Sequence, residues 1–341
     1  DPTAPRMHIG HGVNIRKLQQ FVDLGHNVTF LIGDFTTKVG DNSDKESERP
    51  ILTDAQIEVN WQTYKAQASK FLDFSKVTLK HNSEWLSKLG FADVIRLSQQ
   101  YSLNDYLSRE IMKKKLEAGV SIRLDEVFYP LMQGYDSYFM DTDVQVGAAD
   151  QTFNMQAGRS LQKKLRNKDS FVLVNHYLTG TDGRKMSKSW GNAIWLDDSP
   201  NDMYGKVMSI KDELLEEYFV LATKAATPDL TNPMQAKKQL AHQIVLELYG
   251  ENEAKLAQEY FESTFQQKQI PTDTETKKVE SRNIIDVLVE TGLAKSKSDA
   301  KRLIEQKGVR VNDSQISNFK FQISNSSIIN VGARKFVKVQ I

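Results

Sequence analysis

The sequence predicts a mixed α/β fold: a parallel sheet of buried strands joined by helices, then a helical region, then a small α+β unit. Two observations carry this. Short apolar runs of strand length alternate with longer stretches whose apolar residues recur at three and four, the pattern of strands joined by crossover helices. The chain of 341 residues is long enough for two or three domains, and its charge shifts late: from Glu280 onward eleven basic residues face six acidic ones, although the whole chain carries only +1.

The first residues read as a loop between a strand and a helix, so a preceding segment is expected. A helical pattern runs from about His8 to Leu24 and stops at Gly25-His26-Asn27, with glycine in the usual terminating place. Val28 to Ile32 is an apolar run of buried-strand type. Residues 53 to 118 carry helical patterns broken around Phe74-Ser75-Lys76 and Lys88-Leu89-Gly90, with a short strand at Val77 to Lys80. This stretch is expected to be a helical insertion between sheet halves.

The sheet resumes with Val144 to Gly147, a helix over Thr152 to Leu165 and a strand over Phe171 to His176. From Asn201 to about Gln269 the apolar positions follow helical spacing, and Gln269 to Val279 is a polar, Thr-rich linker. Ile284 to Ile341 opens with two helical stretches and closes with short strands at Arg310-Val311 and Phe336 to Val339.

Composition excludes several chemistries. The chain has no cysteine, so disulfides, zinc-thiolate sites and thiol nucleophiles are ruled out. Its longest apolar runs fall far short of a membrane span, and a cytoplasmic location without membrane association is expected.

Two strings carry most of the chemistry. His8-Ile9-Gly10-His11 opens a helix, where glycine admits a nucleotide close to the backbone while unpaired amides and imidazoles face phosphate. Lys185-Met186-Ser187-Lys188-Ser189 follows the glycine-containing loop Leu178 to Gly183, and its ammonium groups can stabilise charge on a departing pyrophosphate. Alone, each string matches by chance often. Together, in this order and with Gly191-Asn192 following the second, they describe activation of a carboxylate by ATP.

The pair resembles the two signatures of class I aminoacyl-tRNA synthetases. Asp1-Pro2-Thr3-Ala4, Val39-Gly40-Asp41, Tyr129 to Asp136 and Val146 to Gln151 resemble the bacterial-type tyrosyl branch in order, over essentially the whole chain. The resemblance implies a Rossmann-like catalytic domain at 1–205 with an insertion at about 53–125, a helical anticodon-binding domain at 206–270, a linker at 271–281, and at 282–341 an RNA-binding domain similar to one in a ribosomal protein. It also implies that the extreme amino terminus lies before Asp1.

Carried over by position, His8, His11, Lys185 and Lys188 are the catalytic candidates. Asp1, Thr3, Gly10, Asn14, Lys45, Arg49 and Asp150 would bind ATP or the adenylate. Asp41, Tyr129 and Gln133 would hold the α-amino group of L-tyrosine, Asp136 its phenol, and Gln145 and Gln151 its remaining polar groups. Independently of any resemblance, Tyr129, Gln133 and Asp136 follow i, i+4, i+7 spacing and share a polar helix face. Lys45 and Arg49 lie among Asp44, Glu46 and Glu48, which suits a solvated charge cluster nearly as well.

Two positions depart from the pattern: Asn14 stands where threonine is common, and Ala148-Ala149 replaces a common Gly-Ser pair. Lys295, Lys297, Lys301, Arg302 and Arg310, grouped around a helix start, suit RNA phosphates. The resemblance further implies Mg²⁺ with the nucleotide, tRNA(Tyr) as acceptor, and a homodimer paired through the region Asn82 to Val120. A tryptophanyl-type synthetase and a catalytically silent, synthetase-like RNA-binding protein are the alternatives, the first disfavoured by Asp136 and the basic tail.

Overall fold

A computed structural model describes residues 1–39, 52–187, 190–266, 275–312, 314–324, 327–332 and 335–341. It divides into two units, Asp1–Ala254 and Lys255–Ile341, where the sequence suggested three.

The first unit begins with α1 (Ile9–Asp23), which the chain leaves through Gly25 at φ +82°, a left-handed turn that favours glycine. β1 (Val28–Ile32) follows. α2 (Asp54–Ala68) is started by Thr53, whose hydroxyl accepts from the Gln56 backbone while the Gln56 side chain returns to the Thr53 N–H. β2 (Val77–His81) pairs parallel with β1, from Val28↔Val77 to Ile32↔His81.

Within the stretch expected as a helical insertion, about 53–125, α2 and the sheet strand β2 come first, and four short helices follow: α3 (Ser83–Leu86), α4 (Phe91–Ser98), α5 (Leu103–Leu107) and α6 (Glu110–Glu117). α7 (Leu124–Phe139) then leads to β3 (Val144–Ala148), α8 (Thr152–Arg166) and β4 (Phe171–Asn175). β3 and β4 pair parallel, from Val144↔Phe171 to Ala148↔Asn175. The strands therefore form two parallel pairs, and α1 packs against both β1 and β3.

α7 and α8 cross closely because two positions lack side chains. A Cβ on Gly158 would lie 2.7 Å from that of Ser137, and one on Gly134 would lie 3.1 Å from the Ala157 backbone carbonyl carbon. Beside this crossing, Lys115 and Glu126 make a buried ion pair of 2.9 Å between α6 and α7.

α9 (Pro200–Met208), α10 (Leu215–Ala222) and α11 (Pro233–Tyr249) are the helical region. Expected as a separate domain, it belongs instead to the first unit through Ala254. The reason is polar as well as apolar. Tyr218 on α10 donates to the Thr179 carbonyl at 2.7 Å, Glu217 accepts from the Thr179 backbone at 2.6 Å, and Glu247 on α11 pairs with buried Arg16 on α1.

The division falls within α12 (Glu251–Phe261). The second unit then contains β5 (Thr276–Lys278), α13 (Ile284–Glu290), α14 (Lys297–Glu305), β6 (Val309–Val311), β7 (Ser314–Gln315), β8 (Ser327–Val331) and β9 (Lys335–Gln340). Its sheet runs β5-β9-β8-β6-β7, parallel only between β5 and β9. Ile284, Leu288, Ile304, Val309, Ile329 and Val339 fill its core. β5 corrects the expected linker. Thr276-Lys277-Lys278 has no apolar residue to announce a strand, but an edge strand tolerates polar side chains on both faces, and Val279 just after it is buried.

Candidate active site

His8 and His11 form the turn that starts α1. The His8 N–H donates to Nδ1 of His11 at 3.1 Å, and the two rings lie 3.9 Å apart. A Cβ on Gly10 would come within 3.0 Å of Nδ1 of His8, so a side chain there would require the His8 ring to shift. Burial is the main cause that lowers both imidazoles, His8 to about 2 and His11 to about 4, and the neighbouring His11 and Lys185 add to the effect on His8. Both are neutral at pH 7, so each offers one N–H rather than a positive charge. Nδ1 of His8 is buried without a hydrogen-bond partner among the described residues.

The two signature strings are joined through the backbone. Ile9 donates to the Ile194 carbonyl at 2.8 Å and Leu196 to that of Met7 at 2.9 Å, so the segment after the lysine string lies antiparallel to the histidine string. Upstream, Gly180 accepts no side chain. A Cβ there would collide with Asn192, whose amide donates to Asp182 at 2.8 Å and to the Lys185 carbonyl at 3.1 Å, and whose Oδ1 accepts from the Ser187 N–H at 2.9 Å.

That buried asparagine fixes the base of the loop. Lys185 Nζ stands 3.4 Å from Asp150 and 5.0 Å from the centre of the Tyr177 ring. The structure thus brings His8, His11, Gly10, Lys185 and Asp150 into one region. Lys188 lies outside the described residues, as do Asp41, Lys45 and Arg49.

Asp136 lies at the buried end of a polar chain. It is 4 % exposed and accepts from Trp85 Nε1 at 2.7 Å and from Asn82 Nδ2 at 3.0 Å. Asn82 also reaches the Thr36 hydroxyl at 3.0 Å, Thr36 donates to Asp1 at 2.8 Å, and Tyr129 donates to the other oxygen of Asp1 at 2.7 Å. Burial pushes the Asp136 carboxyl up to about 7, against the downward pull of Asn82 and Trp85.

Sequence reasoning missed Thr36, Asn82 and Trp85. The only signal for the last two was their place just after β2, at the strand end where α/β sites form. Gln133 is half-buried on the same helix as Tyr129 and Asp136.

The remaining candidates are placed less directly. Thr3 sits in the turn closed by its own N–H on the Asp1 carbonyl, at 2.9 Å. Asn14 accepts from Asn175 on β4 at 2.7 Å, and Gln151 accepts from Asn154 at 3.2 Å. Gln145 gives its amide to the Met155 carbonyl on α8 at 2.9 Å, so in this structure it holds a helix rather than presenting that amide to a ligand.

In the second unit, Ser296 caps α14 by accepting from the Asp299 N–H, and Lys295, Lys297, Lys301, Arg302 and Arg310 are all exposed. Lys297 pairs with Asp286 at 2.7 Å and Arg302 with Asp299 at 2.6 Å. Two of the five cations are therefore partly neutralised.

Comparison with known proteins gives the family. Residues 1–266 match the model for class I tRNA synthetases (W and Y), and residues 261–337 match the C-terminal domain of tyrosine–tRNA ligases. The tyrosine–tRNA ligase of Thermotoga maritima is 41% identical over 99% of this chain and 88% of its own length. That of Bordetella pertussis is 41% identical over 100% and 87%.

Among solved structures, a truncated mitochondrial tyrosyl-tRNA synthetase of Aspergillus nidulans superposes with a TM-score of 0.63, at 24% identity over 78% of this chain and 84% of that one. The Archaeoglobus fulgidus enzyme gives 0.57 at 19% identity over 75% and 87%, and both likenesses bear on fold alone. Taken with the joined signature strings and the buried Asp136, these matches show that the chain belongs to the tyrosine–tRNA ligase family of class I aminoacyl-tRNA synthetases.

Proposed function

We propose that this chain activates L-tyrosine with ATP to tyrosyl adenylate and transfers the tyrosyl group to the 3′ end of tRNA(Tyr). One observation carries the choice of tyrosine: a buried carboxylate, Asp136, held by Trp85 and Asn82 on the helix that carries Tyr129. A phenolic hydroxyl satisfies that acceptor. A bare phenyl ring offers no donor and leaves it short of a partner in a buried site, at a cost of about 1–3 kcal/mol; an indole N–H can donate, so tryptophan is separated by the exchange experiment below.

The substrate carboxylate is already ionised at neutral pH and attacks the α-phosphorus without a general base, so positioning and charge stabilisation carry the first step. His8 and His11, as neutral donors, and Lys185 and Lys188 would stabilise the phosphates. Lys185, paired with Asp150 here, would exchange that partner for phosphate when Asp150 takes the adenylate ribose. Asp41, Tyr129 and Gln133 would hold the α-amino group. Mg²⁺ is proposed to arrive on the triphosphate and to neutralise it during transfer.

The exposed Lys295, Lys301 and Arg310 are proposed to meet tRNA phosphates. A homodimer is proposed through the insertion, and the cytoplasm as the compartment. Among the described residues no helix is long and apolar enough to cross a membrane.

Pyrophosphate exchange tests the reading. It should depend on tyrosine and not on tryptophan or phenylalanine, and Lys295→Ala/Lys301→Ala/Arg310→Ala should keep exchange while raising the KM for tRNA. Exchange driven by tryptophan, or by no amino acid, would sink the assignment.

A further inference from the structure

The His8 ring is enclosed by His11, Gly10 and a third residue, Trp195, that has no part in the chemistry described above. Trp195 lies on the segment after the lysine string and stands opposite His8 in an antiparallel bridge. Side chains paired in this way meet across the bridge. The two rings lie 6.1 Å apart and are tilted by 59°, within the range of an edge-to-face aromatic contact.

No hydrogen bond among the described residues does the same work. Nδ1 of His8 is buried without a partner, and the Nδ1–Cε1 edge of the ring faces Gly10, where even a Cβ would stand 3.0 and 3.1 Å from those atoms. Glycine leaves that side of the ring without a wall. The orientation of the imidazole therefore rests on packing, and Trp195 supplies the largest surface for it.

Trp195 is itself braced. Its backbone N–H donates to Oδ2 of Asp198 at 2.8 Å, and the Arg6 guanidinium lies 4.7 Å over the indole. Arg6 is anchored through Nε on Asp197 at 2.8 Å and through a second nitrogen on Asp198 at 3.3 Å. Asp198 is buried and also holds Lys206 at 2.5 Å. The brace spans both sides of the bridge, because Arg6 comes just before the histidine turn and Asp198 just after Trp195.

Such support matters for a neutral imidazole more than for a cation. A cation acts over distance, whereas a single N–H stabilises a phosphate oxygen only when aimed at it, and a displacement of about 1 Å in a positioned group can cost on the order of 100-fold in rate.

We infer that Trp195 is a positioning residue for adenylate formation: its indole, braced by Arg6 and Asp198, keeps the His8 imidazole in the orientation that meets the phosphates of ATP. Trp195 acts through His8 and makes no contact of its own with the reacting atoms. The inference rests on His8 stabilising those phosphates.

The test follows tyrosyl-adenylate formation in the full chain at saturating tyrosine and ATP. Its first-order rate constant does not depend on how much of the protein is folded. Trp195→Ala should lower that constant by about tenfold or more and leave the tyrosine Kd within about twofold of the parent, the signature of an interaction used in the transition state. Trp195→Leu, which keeps apolar bulk without the ring, carries the same expectation should the alanine variant not fold. Trp195→Phe should recover most of the rate.

A second background separates positioning from general support. In a His8→Asn chain no imidazole remains to be misplaced, so adding Trp195→Ala or Trp195→Leu should cost less than about twofold further. The same loss with and without His8 would mean that Trp195 serves the fold rather than the histidine, and would overturn the inference. A slow His8→Asn chain beside Trp195 variants that keep the parent's rate would overturn it as well. A His8→Asn chain as fast as the parent would instead remove His8 from the reaction, and the inference with it.

Discussion

At the scale of single residues, Asp136 makes a prediction with a definite sign. Its carboxyl is raised from 3.8 to about 7, first by burial and despite the donors Asn82 and Trp85, with the charge of Asp34 adding to the rise. Between those values the folded state holds a proton that the unfolded chain has released. The contribution of this group to stability is therefore complete below about pH 4 and is lost as pH rises through about 7. Asp136→Asn, which has no such proton to lose, should flatten that part of the profile, seen as a smaller difference in Tm between pH 5 and pH 7.5 than the parent shows. Tyrosine affinity should run the other way, strengthening as pH passes 7 and the phenol gains an ionised acceptor, and it should fall by about tenfold or more in the variant. A tyrosine Kd flat from pH 6 to 8 in the parent would contradict the assignment of Asp136 to the phenol.

At the scale of elements, the Lys115–Glu126 pair fastens α6 to α7, with both side chains less than a tenth exposed. Removing one partner leaves a buried charge without compensation, so Glu126→Ala should cost about 3–5 kcal/mol in urea denaturation, whereas Lys115→Met with Glu126→Leu should cost much less. Equal destabilisation by the single and double changes would mean that packing rather than charge holds the two helices. This pair also marks what the sequence conceals. β1 to β4, α1 and the helical character of the insertion were legible because each rests on local periodicity and its end signals, and Tyr129, Gln133 and Asp136 were legible because helix spacing alone puts them on one face. The partners of Asp136 were not. Asn82 and Trp85 stand 54 and 51 positions away along the chain and meet it only through the fold. β5 escaped notice for a related reason, since an edge strand needs no apolar alternation. The independence expected of the helical region failed because contacts such as Arg16 with Glu247 join residues 231 positions apart.

At the scale of the whole molecule, the insertion presents an apolar surface that one copy of the chain leaves uncovered. Phe91 and Ile95, one turn apart on α4, are 81 % and 47 % exposed, whereas Leu97 on the same helix is buried. Leu103, Leu116 and Leu124 in the same region are exposed as well. Isolated apolar residues on a surface need no explanation, but several in one segment are the usual mark of an interface. Pairing of two copies across this surface would cover them, and a stable dimer buries on the order of 800 Å² per partner. Phe91→Glu places a charge where the proposed dimer is dry, and because Phe91 contributes nothing to the core, the fold of each copy should survive. The parent should therefore sediment as a dimer at micromolar concentration and the variant as a monomer, with the variant's melting transition becoming independent of protein concentration while the parent's rises with it. A parent that sediments as a monomer, or a Phe91→Glu variant that keeps the dimer mass, would remove α4 from the interface and leave its apolar face to another partner.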